Sequence, residues 1–327
     1  MGMAEPGFSI VVRAFNEEEH IGRLLEGIAR QTVAPLDIVV VDSGSTDATL
    51  SIAAHYPVRI VSIRPEEFSF GRSLNRGCEQ ARGRVLVFAS AHVYPVYPDW
   101  LELLLSPFDD PAIALAYGKQ RGGPTTRFSE HRVFAKWYPD RSVPRQTHPF
   151  CNNANAAIRR SLWEQHGYDE DLPGLEDLAW ASWAIGGGHA LAYVAEAEVV
   201  HVHQESPAWI FNRYRREAAA LRRVRASEHF HLGDLGRLYI SNVVSDMAEA
   251  ARLGRWPRVA SEILWFRWLQ FWGTYRGFRL SGPLTSELKR AFYYPPDGAG
   301  AGRTARRDAT PIDYRAAGIR LPGEPLE

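Results

Sequence analysis

Several polar side chains stand directly after apolar runs of the chain, where they could reach a ligand. Asp42 ends the run LDIVVVD and opens the turn-rich segment DSGSTDAT. A carboxylate in this position can accept hydrogen bonds from a ring N–H or from hydroxyl groups. Its neighbours Ser45, Thr46 and Asp47 can cap the following helix, and capping is the expected role of Asp47. The segment therefore offers a candidate binding carboxylate beside a helix start.

Histidines occur in two other extended stretches. Ser90 and His92 lie in LVFASAHVYP, and His201 and His203 lie in VVHVH. Successive side chains of an extended chain point to opposite faces, so the two members of each pair share a face. A neutral imidazole binds Mn²⁺ and other first-row metal ions, although oxygen ligands suit Mg²⁺ and Mn²⁺ better. The same rings could instead donate hydrogen bonds to phosphate oxygens or fill space, and the spacing leaves these roles open.

The first half of the chain supplies the elements that must position these residues. The β-branched run FSIVVRA predicts a strand, and NEEEHIGRLLEGIARQT predicts a helix after it. LDIVVVD, Val58–Ile63 and VLVFAS predict further strands, with a helix over about Ser73–Ala81. This alternation predicts an α/β fold with a mostly parallel central sheet flanked by helices. Ligands bind such sheets at the carboxyl ends of the strands.

The second half changes in character. The stretch GGPTTRFSEHRVFAKWYPDRSVPRQTHPF reads as an irregular surface excursion, and ALAYVAEAEVVHVH as an alternating strand. From about Ser206 the pattern is helical, and PPDGAGAGRTARRDATP has the composition of a linker. We therefore expect a domain over residues 1–205, a helical region over 206–295 and a flexible tail over 296–327.

Composition narrows the class of protein. The 38 Lys and Arg residues balance the 38 Asp and Glu residues, so no overall field favours nucleic acid or an anionic membrane, and any such attraction must be local. The two cysteines are too few for a disulfide framework, which favours a reducing, cytoplasmic environment. Neither a leader pattern at the start nor an apolar run of membrane-spanning length is visible. The first strand is followed by RAFNEEEH rather than by a glycine-rich fingerprint, which argues against an NAD-type oxidoreductase.

The ordered set of these motifs resembles the family 2 glycosyltransferases, which have the GT-A fold. FSIVVRAFNEEEHIGRLLEGIARQT, LDIVVVDSGSTDATLSIA and FSFGRSLNRGCEQARGRVLVF match its opening in the expected order. FCNNANAAIRRSLWEQHGYDEDLPGLEDLAWASWAIGGGHALAYVAEAEVVHVH matches its acceptor-side half, so the resemblance covers roughly residues 8 to 205. The segments SAH and AYGKQ are similar to the bacterial rhamnosyltransferase-like subgroup.

The resemblance implies a nucleoside-diphosphate sugar as donor. Asp42 would then read the base, which could be that of UDP, TDP or GDP, and Arg72 would approach the diphosphate. Three residues at the end of the first strand and just after it would line the base pocket, namely Ala14, Phe15 and Glu17. An acceptor hydroxyl on a glycan or a lipid-linked saccharide would take the sugar, with inversion.

The resemblance also places a metal site at LVFASAHVYP, where the family carries an Asp-x-Asp motif. Here Ser90, Ala91 and His92 stand in its place. A divalent ion, Mn²⁺ or Mg²⁺, normally bridges the donor phosphates there and stabilises the leaving diphosphate. Ser90 and Ala91 would lie beside the donor, and His92 would bind the ion with His201 and, less strongly expected, His203. Direct hydrogen bonding of the diphosphate by these imidazoles is the alternative.

Catalysis in such an enzyme requires a base, and GLEDLAW supplies two acids. Asp177 is the expected base for the acceptor hydroxyl, because an inverting transfer needs one group to take its proton. Glu176 is adjacent in sequence and is not expected to share the face of Asp177, so it would bind an acceptor hydroxyl or orient the loop. The two acids could otherwise merely complement a helix dipole. Trp180 could stack on a sugar ring or occupy the core.

A tryptophan stripe near the end of the chain raises a separate possibility. Trp265, Trp268, Leu269 and Trp272 recur at helical spacing among arginines. Such a face suits peripheral contact with the inner surface of a membrane, whereas an ordinary core or a homodimer seam is the commoner outcome. The basic run RYRREAAALRRVR is expected to be a solvated face. If the loss of Asp-x-Asp abolished transfer, the chain would be a non-catalytic nucleotide-sugar-binding or scaffold subunit, although Asp177 argues against this.

Overall fold

The computed structural model describes residues 7–203, 205–279, 309–316 and 318. The strands are β1 (Phe8–Ala14), β2 (Asp37–Asp42), β3 (Arg59–Ser62), β4 (Val85–Ser90), β5 (Val93–Pro95), β6 (Ile113–Gly122), β7 (Val143–Gln146), β8 (Asn155–Arg159) and β9 (Ala190–His201). The helices are α1 (Ile21–Ala29), α2 (Thr49–Ala53), α3 (Phe70–Gln80), α4 (Trp100–Leu105), α5 (Phe128–Trp137), α6 (Arg160–Gln165), α7 (Glu176–Gly186), α8 (Pro207–Val224), α9 (Leu232–Arg252) and α10 (Trp256–Phe278).

Within the described residues the strands form one sheet, in the order β3-β2-β1-β4-β8-β6-β9-β5, with β7 paired to β9. The first four strands of this order are mutually parallel. β8 runs antiparallel to β4 and β6, and β5 and β7 run antiparallel to β9. The predicted α/β fold is confirmed. The sheet is mixed rather than mostly parallel, because these strands reverse the chain direction beyond β4.

The parallel half of the sheet is buried on both faces, as its continuous apolar runs predict. In β1, Ile10, Val11 and Val12 are fully buried. Ile10 and Val12 pack in one core cluster with Leu24 of α1, and Val11 packs in another with Leu74 of α3. Each such aliphatic side chain stabilises the fold by about 1.5–3 kcal/mol relative to its exposed state. The strand ends that carry Asp42 and Ser90 are therefore anchored by a rigid core.

The stretch 122–149 is more regular than the prediction of an irregular excursion. It contains α5 and β7, and only the remainder is irregular. Phe128 at the start of α5 packs against Ala250 of α9 and Ile263 of α10. The helix is thus stabilised by tertiary contacts with residues more than a hundred positions away, which a local pattern does not contain.

The helical region predicted after Ser206 is confirmed as α8, α9 and α10. Gly273 and Gly277 allow α10 to lie directly against α8, since a Cβ on either would come 2.5–2.6 Å from a backbone carbonyl oxygen of α8. A buried ion pair joins Arg267 of α10 to Asp246 of α9, with Nε and Oδ2 2.7 Å apart. Asp246 also accepts a hydrogen bond from the Ser129 hydroxyl of α5. These contacts fix α5 and α8 relative to one another.

A short part of the predicted flexible tail is packed. Tyr314 is buried, and its hydroxyl donates a hydrogen bond to the carbonyl oxygen of Pro95. The N–H of Ile312 donates to the carbonyl oxygen of Val96 at 3.0 Å. The prediction of flexibility therefore does not hold for residues 309–316, and the boundary at 295 and most of that tail lie outside the described residues. In the part of the chain that is described, no helix is both long and apolar enough to span a membrane.

Candidate active site

A cavity of about 550 Å³ opens at the carboxyl ends of β1 and β4. Three parts of the chain form its wall. The ends of β1 and β4 and the residues after them contribute Arg13, Asn16, Glu17, His20, Ser90 and His92. The segment before β8 and the start of α7 contribute Asn152, Asn153, Ala154, Gly174, Leu175, Glu176 and Asp177. The remaining chain contributes Phe70, His201, Val202, His203, Glu205, Trp209, Arg213, Arg216 and Glu217. The cavity thus joins the sheet to α8 of the helical region.

Three histidines converge in this cavity. The pairing of β5 with β9 sets Val93 opposite His201, which brings His92 beside that strand. The rings of His92 and His201 stack with centroids 5.0 Å apart, and Nε2 of His201 lies 3.0 Å from Nε2 of His203. One ring nitrogen from each of the three lies within 4.8 Å of the others. The two histidine-bearing stretches therefore form a single cluster.

Each of these imidazoles is held by a different oxygen acceptor. Nδ1 of His92 lies 2.6 Å from a carboxylate oxygen of Glu17. Nδ1 of His201 lies 2.7 Å from Oε1 of Gln120, and Nδ1 of His203 lies 2.7 Å from Oε1 of Glu130. Because these oxygens can only accept, Nδ1 carries the proton in each ring and Nε2 keeps a lone pair. Acceptors of this kind orient metal-binding histidines and fix their tautomer.

The donor set fits a first-row divalent ion. Burial, together with the neighbouring His203 and His92, lowers the pKa of His201 well below its usual range, so the ring is in the neutral form that binds metals. Two nitrogens 3.0 Å apart can both reach one ion at the usual metal–nitrogen distance of about 2.0–2.1 Å. Imidazole nitrogen suits Mn²⁺ and later first-row ions better than Mg²⁺, which prefers oxygen ligands.

Glu130 connects this cluster to the helical region. Its Oε1 accepts from His203 and also lies 2.7 Å from Nη2 of Arg213 on α8. Burial alone would raise the pKa of Glu130, but the hydrogen bonds from His203 and Arg213 and the positive charge of Arg213 lower it to about 2. Glu130 is therefore a carboxylate at all ordinary pH values, and this buried anion accepts hydrogen bonds from both His203 and Arg213.

Asp177 lies in the same cavity as the histidines. Its Oδ2 accepts the N–H of Asn153 at 3.2 Å, and its Oδ1 accepts the N–H of Leu178 at 2.8 Å. Burial, followed by the charge of Glu176, raises the pKa of Asp177 to about 7. A carboxylate with such a pKa can take a proton from a substrate hydroxyl near neutral pH.

Glu176 faces this cavity too, contrary to the expectation that the two acids would point apart. The reason is local: α7 begins at Glu176, so the cavity meets the end of the helix rather than its side. The preceding Leu175 has a left-handed conformation with φ of 56°. Oε1 of Glu176 lies 3.3 Å from Nη1 of Arg13, whose position next to Ser90 is set by the pairing of β1 with β4. Left-handed non-glycine residues of this kind often occur at functional sites.

The other predicted site residues lie at varied positions. Asp42 is buried at the end of β2, and its carboxylate accepts from the N–H groups of Gly44 and Ser45. Ala14 and Ala91 are buried, whereas Phe15 is exposed by 51%. The structure does not bring Arg72 to the cavity. It forms an ion pair with Glu170 at 2.7 Å and lines a separate depression of about 260 Å³.

Several side chains of the site have no counterpart among the sequence predictions. They are Arg13, His20, Phe70, Gln120, Glu130, Arg213, Arg216 and Glu217. Four residues of α8 that line the cavity are spaced as one helical face, at positions 209, 213, 216 and 217. That spacing could have been noticed in the basic run, which is therefore not a purely solvated face. Trp180, in contrast, is a core residue whose indole N–H donates to the His166 carbonyl oxygen.

The tryptophan stripe is divided between core and surface. Phe266 and Phe271 of α10 are fully buried, while Trp268 is exposed by 44%. Trp268 stacks on Trp272 with centroids 5.6 Å apart, and it contacts the Tyr239 ring of α9. One side of α10 therefore packs against α8, and the other remains at the surface.

Solved structures with the same fold identify the architecture. The mannosyltransferase PcManGT from Pyrobaculum calidifontis, in complex with GDP-Man and Mn²⁺, has a TM-score of 0.60 at 18% identity, over 85% of this chain and 89% of that one. TarS 1-349 from S. aureus, in complex with UDP, has a TM-score of 0.52 at 16% identity, over 84% and 90% of the two chains. At these identities the likeness concerns the fold, and it confirms the GT-A fold implied by the sequence resemblance.

Fold, site and sequence relatives together define a glycosyltransferase of the GT-A type. Within that class, residues 9–167 belong to Glycosyl transferase family 2, whose model matches this segment. It is similar to the O-antigen chain rhamnosyltransferase WbaN of Salmonella anatum, at 29% identity over 64% of this chain and 70% of that protein. It is also similar to the O-antigen chain rhamnosyltransferase RfbN of Salmonella typhimurium, at 28% identity over 63% and 69% of the two chains.

Proposed function

We propose that the protein is an inverting glycosyltransferase that moves a deoxyhexosyl group, rhamnosyl in the first instance, onto a saccharide hydroxyl. The donor is a nucleoside-diphosphate sugar based on UDP, TDP or GDP, and the product is part of a cell-surface glycan. The names of the two O-antigen chain rhamnosyltransferases support this choice of sugar and glycan. The observation that carries the proposal is the presence of Asp177 and the three-histidine cluster in one cavity.

The reaction assigns each group a separate task. A carboxylate oxygen of Asp177 takes the proton of the acceptor hydroxyl while the oxygen of that hydroxyl forms a bond to C1 of the donor sugar. The bond from C1 to the diphosphate oxygen breaks on the opposite face, and the electron pair leaves with the diphosphate. Arg13 holds Glu176 beside the base, and the carboxylate of Glu176 raises the proton affinity of Asp177.

His92, His201 and His203 would hold the divalent ion through their Nε2 atoms. When bound, the ion supplies positive charge that stabilises the leaving diphosphate. Glu17, Gln120 and Glu130 keep the rings oriented for this role. We expect this site, whose ligands are imidazole nitrogens, to bind Mn²⁺ more tightly than Mg²⁺.

A donor panel tests the proposal directly. TDP-, UDP- and GDP-linked hexoses and deoxyhexoses are offered to the full chain with Mn²⁺, with Mg²⁺ or with a chelator, and nucleotide release is measured. We expect turnover of a deoxyhexose donor, with Mn²⁺ supporting at least about tenfold more turnover than Mg²⁺. The anomeric configuration of the product, read by NMR, tests inversion. Absence of turnover with every donor would contradict the enzymatic proposal, and equal turnover with the chelator would contradict the metal site.

We further propose that the acceptor is lipid-linked and that the protein works at the cytoplasmic face of a membrane. Four exposed apolar side chains form the apolar ridge, on neighbouring faces of α9 and α10: Ile240, Val244, Leu264 and Trp268. Arg255 and Arg258 are exposed at the start of α10, and Arg276 lies over the Trp272 ring. An exposed aromatic and aliphatic surface flanked by arginines suits the interface of an anionic bilayer.

Vesicle binding tests this surface. The full chain should co-sediment with vesicles containing phosphatidylglycerol and much less with pure phosphatidylcholine. The double substitution Trp268→Ala with Ile240→Ala should lower the bound fraction at least about tenfold, because it removes most of the exposed apolar area of the ridge. Ile60→Ala, an exposed apolar residue on β3, is the matched control. A different outcome would show that the ridge joins two copies of the chain. In that case the parent protein does not bind vesicles and forms a concentration-dependent dimer, and the double variant does not form this dimer.

A further inference from the structure

The face of α8 that lines the cavity carries polar groups with no role in the proposed reaction. Arg213 on this face is bound to Glu130 and Glu205. Arg216 and Glu217 differ from it. The Nε of Arg216 is buried without a hydrogen-bond partner, and no hydrogen bond or ion pair of Glu217 occurs among the described residues. Buried or half-buried polar groups in folded proteins normally find a partner, so a ligand is the natural candidate.

Arg216 lines the same cavity as the proposed reacting groups. Its guanidinium carbon is 4.6 Å from the centroid of the Phe70 ring, and Arg13 lies 5.0 Å from the same centroid. Its Nε is 3.7 Å from the position that a Cβ on Gly174 would take. Gly174 precedes Glu176 and Asp177 by two and three residues, so the α8 face and the base border the same space.

The charged side chains of the cavity indicate which chemical class of ligand would bind beside Arg216 and Glu217. Its wall carries five carboxylic side chains and three arginines: Glu17, Glu176, Asp177, Glu205, Glu217, Arg13, Arg213 and Arg216. Two of those arginines already pair with Glu130, Glu176 or Glu205. An anionic ligand beside Arg216 would therefore also meet the carboxylate of Glu217. A neutral ligand with several hydroxyl groups can accept from Arg216 and donate to Glu217 at the same time.

The mouth of the cavity adds an aromatic surface. Trp209 lies in the first turn of α8, lines the cavity and is exposed by 65%. An indole presents a large apolar face together with a polar N–H, and this combination suits contact with the apolar face of a sugar ring. Trp209 and Glu217 are eight positions apart on one helix face, about 12 Å along its axis, which is long enough to follow more than one sugar unit.

We propose that this face of α8 is the acceptor subsite and that it binds a neutral saccharide. Trp209 covers the apolar side of one sugar ring, and Arg216 and Glu217 hydrogen-bond the hydroxyl groups of the sugar nearest to Asp177. This assignment rests on the proposed transfer to a saccharide. It adds that this face of α8 is the part of the chain that selects the acceptor. The selection lies in the helical region, beyond the residues matched by the family model.

Equilibrium binding tests the subsite without requiring turnover. Saturation-transfer NMR on the full chain uses four neutral probes: the methyl glycosides of L-rhamnose, D-mannose, D-galactose and D-glucose. At least one should bind, and its affinity should fall about tenfold or more in Trp209→Ala and in Glu217→Ala, since each loses a direct contact. Trp209→Phe and Glu217→Gln should restore part of the affinity. The outward-facing substitutions Asn212→Ala and Arg215→Ala on the same helix should leave it within twofold of the parent value.

Three results would overturn the subsite: no binding of any glycoside, binding unchanged in both alanine variants, or displacement of the glycoside by inorganic phosphate. Binding of the diphosphate nucleotide should be unchanged in all variants, which also verifies that they fold. If the parent protein binds glycosides through α8 but turns over no donor, the proposed reaction fails and the subsite stands. If it turns over a donor but binds no glycoside at α8, the subsite fails and the reaction stands.

Discussion

Replacement of Asp177 by Asn should lower kcat for transfer by about 10³-fold, within the range that general-base catalysis contributes. The amide keeps the size of the carboxylate, and its single carbonyl oxygen can still accept one of the two N–H groups, of Asn153 or of Leu178, that the two carboxylate oxygens accept. It cannot accept the proton of the acceptor hydroxyl. The donor KM should change little, because the loss falls on the transition state rather than on donor binding.

The same residue predicts the pH dependence of the parent enzyme. Because the pKa of Asp177 is raised to about 7, kcat/KM should rise with pH up to about that value and level off above it. Asp109→Asn, an exposed acid far along the chain, is the control and should leave both kcat and the pH profile unchanged. A variant Asp177→Asn that kept more than a tenth of the parent rate, with the same pH profile, would show that another group is the base.

Replacement of His201 by Ala should weaken Mn²⁺ binding by more than about 100-fold, since even the loss of a group that only orients a ligand costs 10–100-fold. His201 contacts both other histidines of the cluster and is the most buried of the three. Its removal leaves two rings to bind the ion and frees Oε1 of Gln120. Calorimetric titration with Mn²⁺ measures the loss, and turnover should fall in parallel at any fixed Mn²⁺ concentration.

His55→Ala is the matched control, because that histidine is exposed next to α2 and away from the cavity. Thermal unfolding without metal should be compared in the parent and in both variants, so that a loss of folding is separated from a loss of the ion. Unchanged Mn²⁺ affinity in His201→Ala would mean that the ion binds elsewhere. To donate hydrogen bonds to the diphosphate instead, the three rings would need a proton on Nε2 as well.

Much of the fold can be predicted from the sequence because the residue patterns that indicate its strands and helices are local. The apolar runs of β1, β2 and β4 and the helical spacing in α1 identify elements that are buried in place. The spacing of two between His201 and His203 likewise predicts that they share a face. This spacing does not predict which other strand lies beside the one that carries these histidines. The approach of His92 follows from the pairing of β5 with β9, which no local pattern encodes.

The remainder of the site depends on contacts between distant parts of the chain. Glu130 lies in a stretch whose glycines, prolines and arginines favour irregular structure, and α5 forms there because α9 and α10 pack on it. Arg213 belongs to a basic run that resembles a solvated face, and its role depends on Glu130 eighty-three positions earlier. The orientation of the Glu176 side chain can be predicted only when the residue at which α7 begins is known. The helical spacing of residues 209, 213, 216 and 217 indicates a shared face, but the partners of that face, of Glu130 and of Glu176 are tertiary contacts that neither composition nor periodicity reveals.

The double contact of Glu130 with His203 and Arg213 has a consequence for how such enzymes diverge and can be recombined. The three residues lie on α5, just after β9 and on α8, so they belong to three segments of the gene. Loss of Arg213 leaves the buried carboxylate of Glu130 without its positive partner, and loss of Glu130 leaves His203 without its acceptor, which costs more than a surface change. The three positions should therefore be inherited together. A chimera that joins the sheet domain of one relative to the helical region of another would need to carry all three as a set.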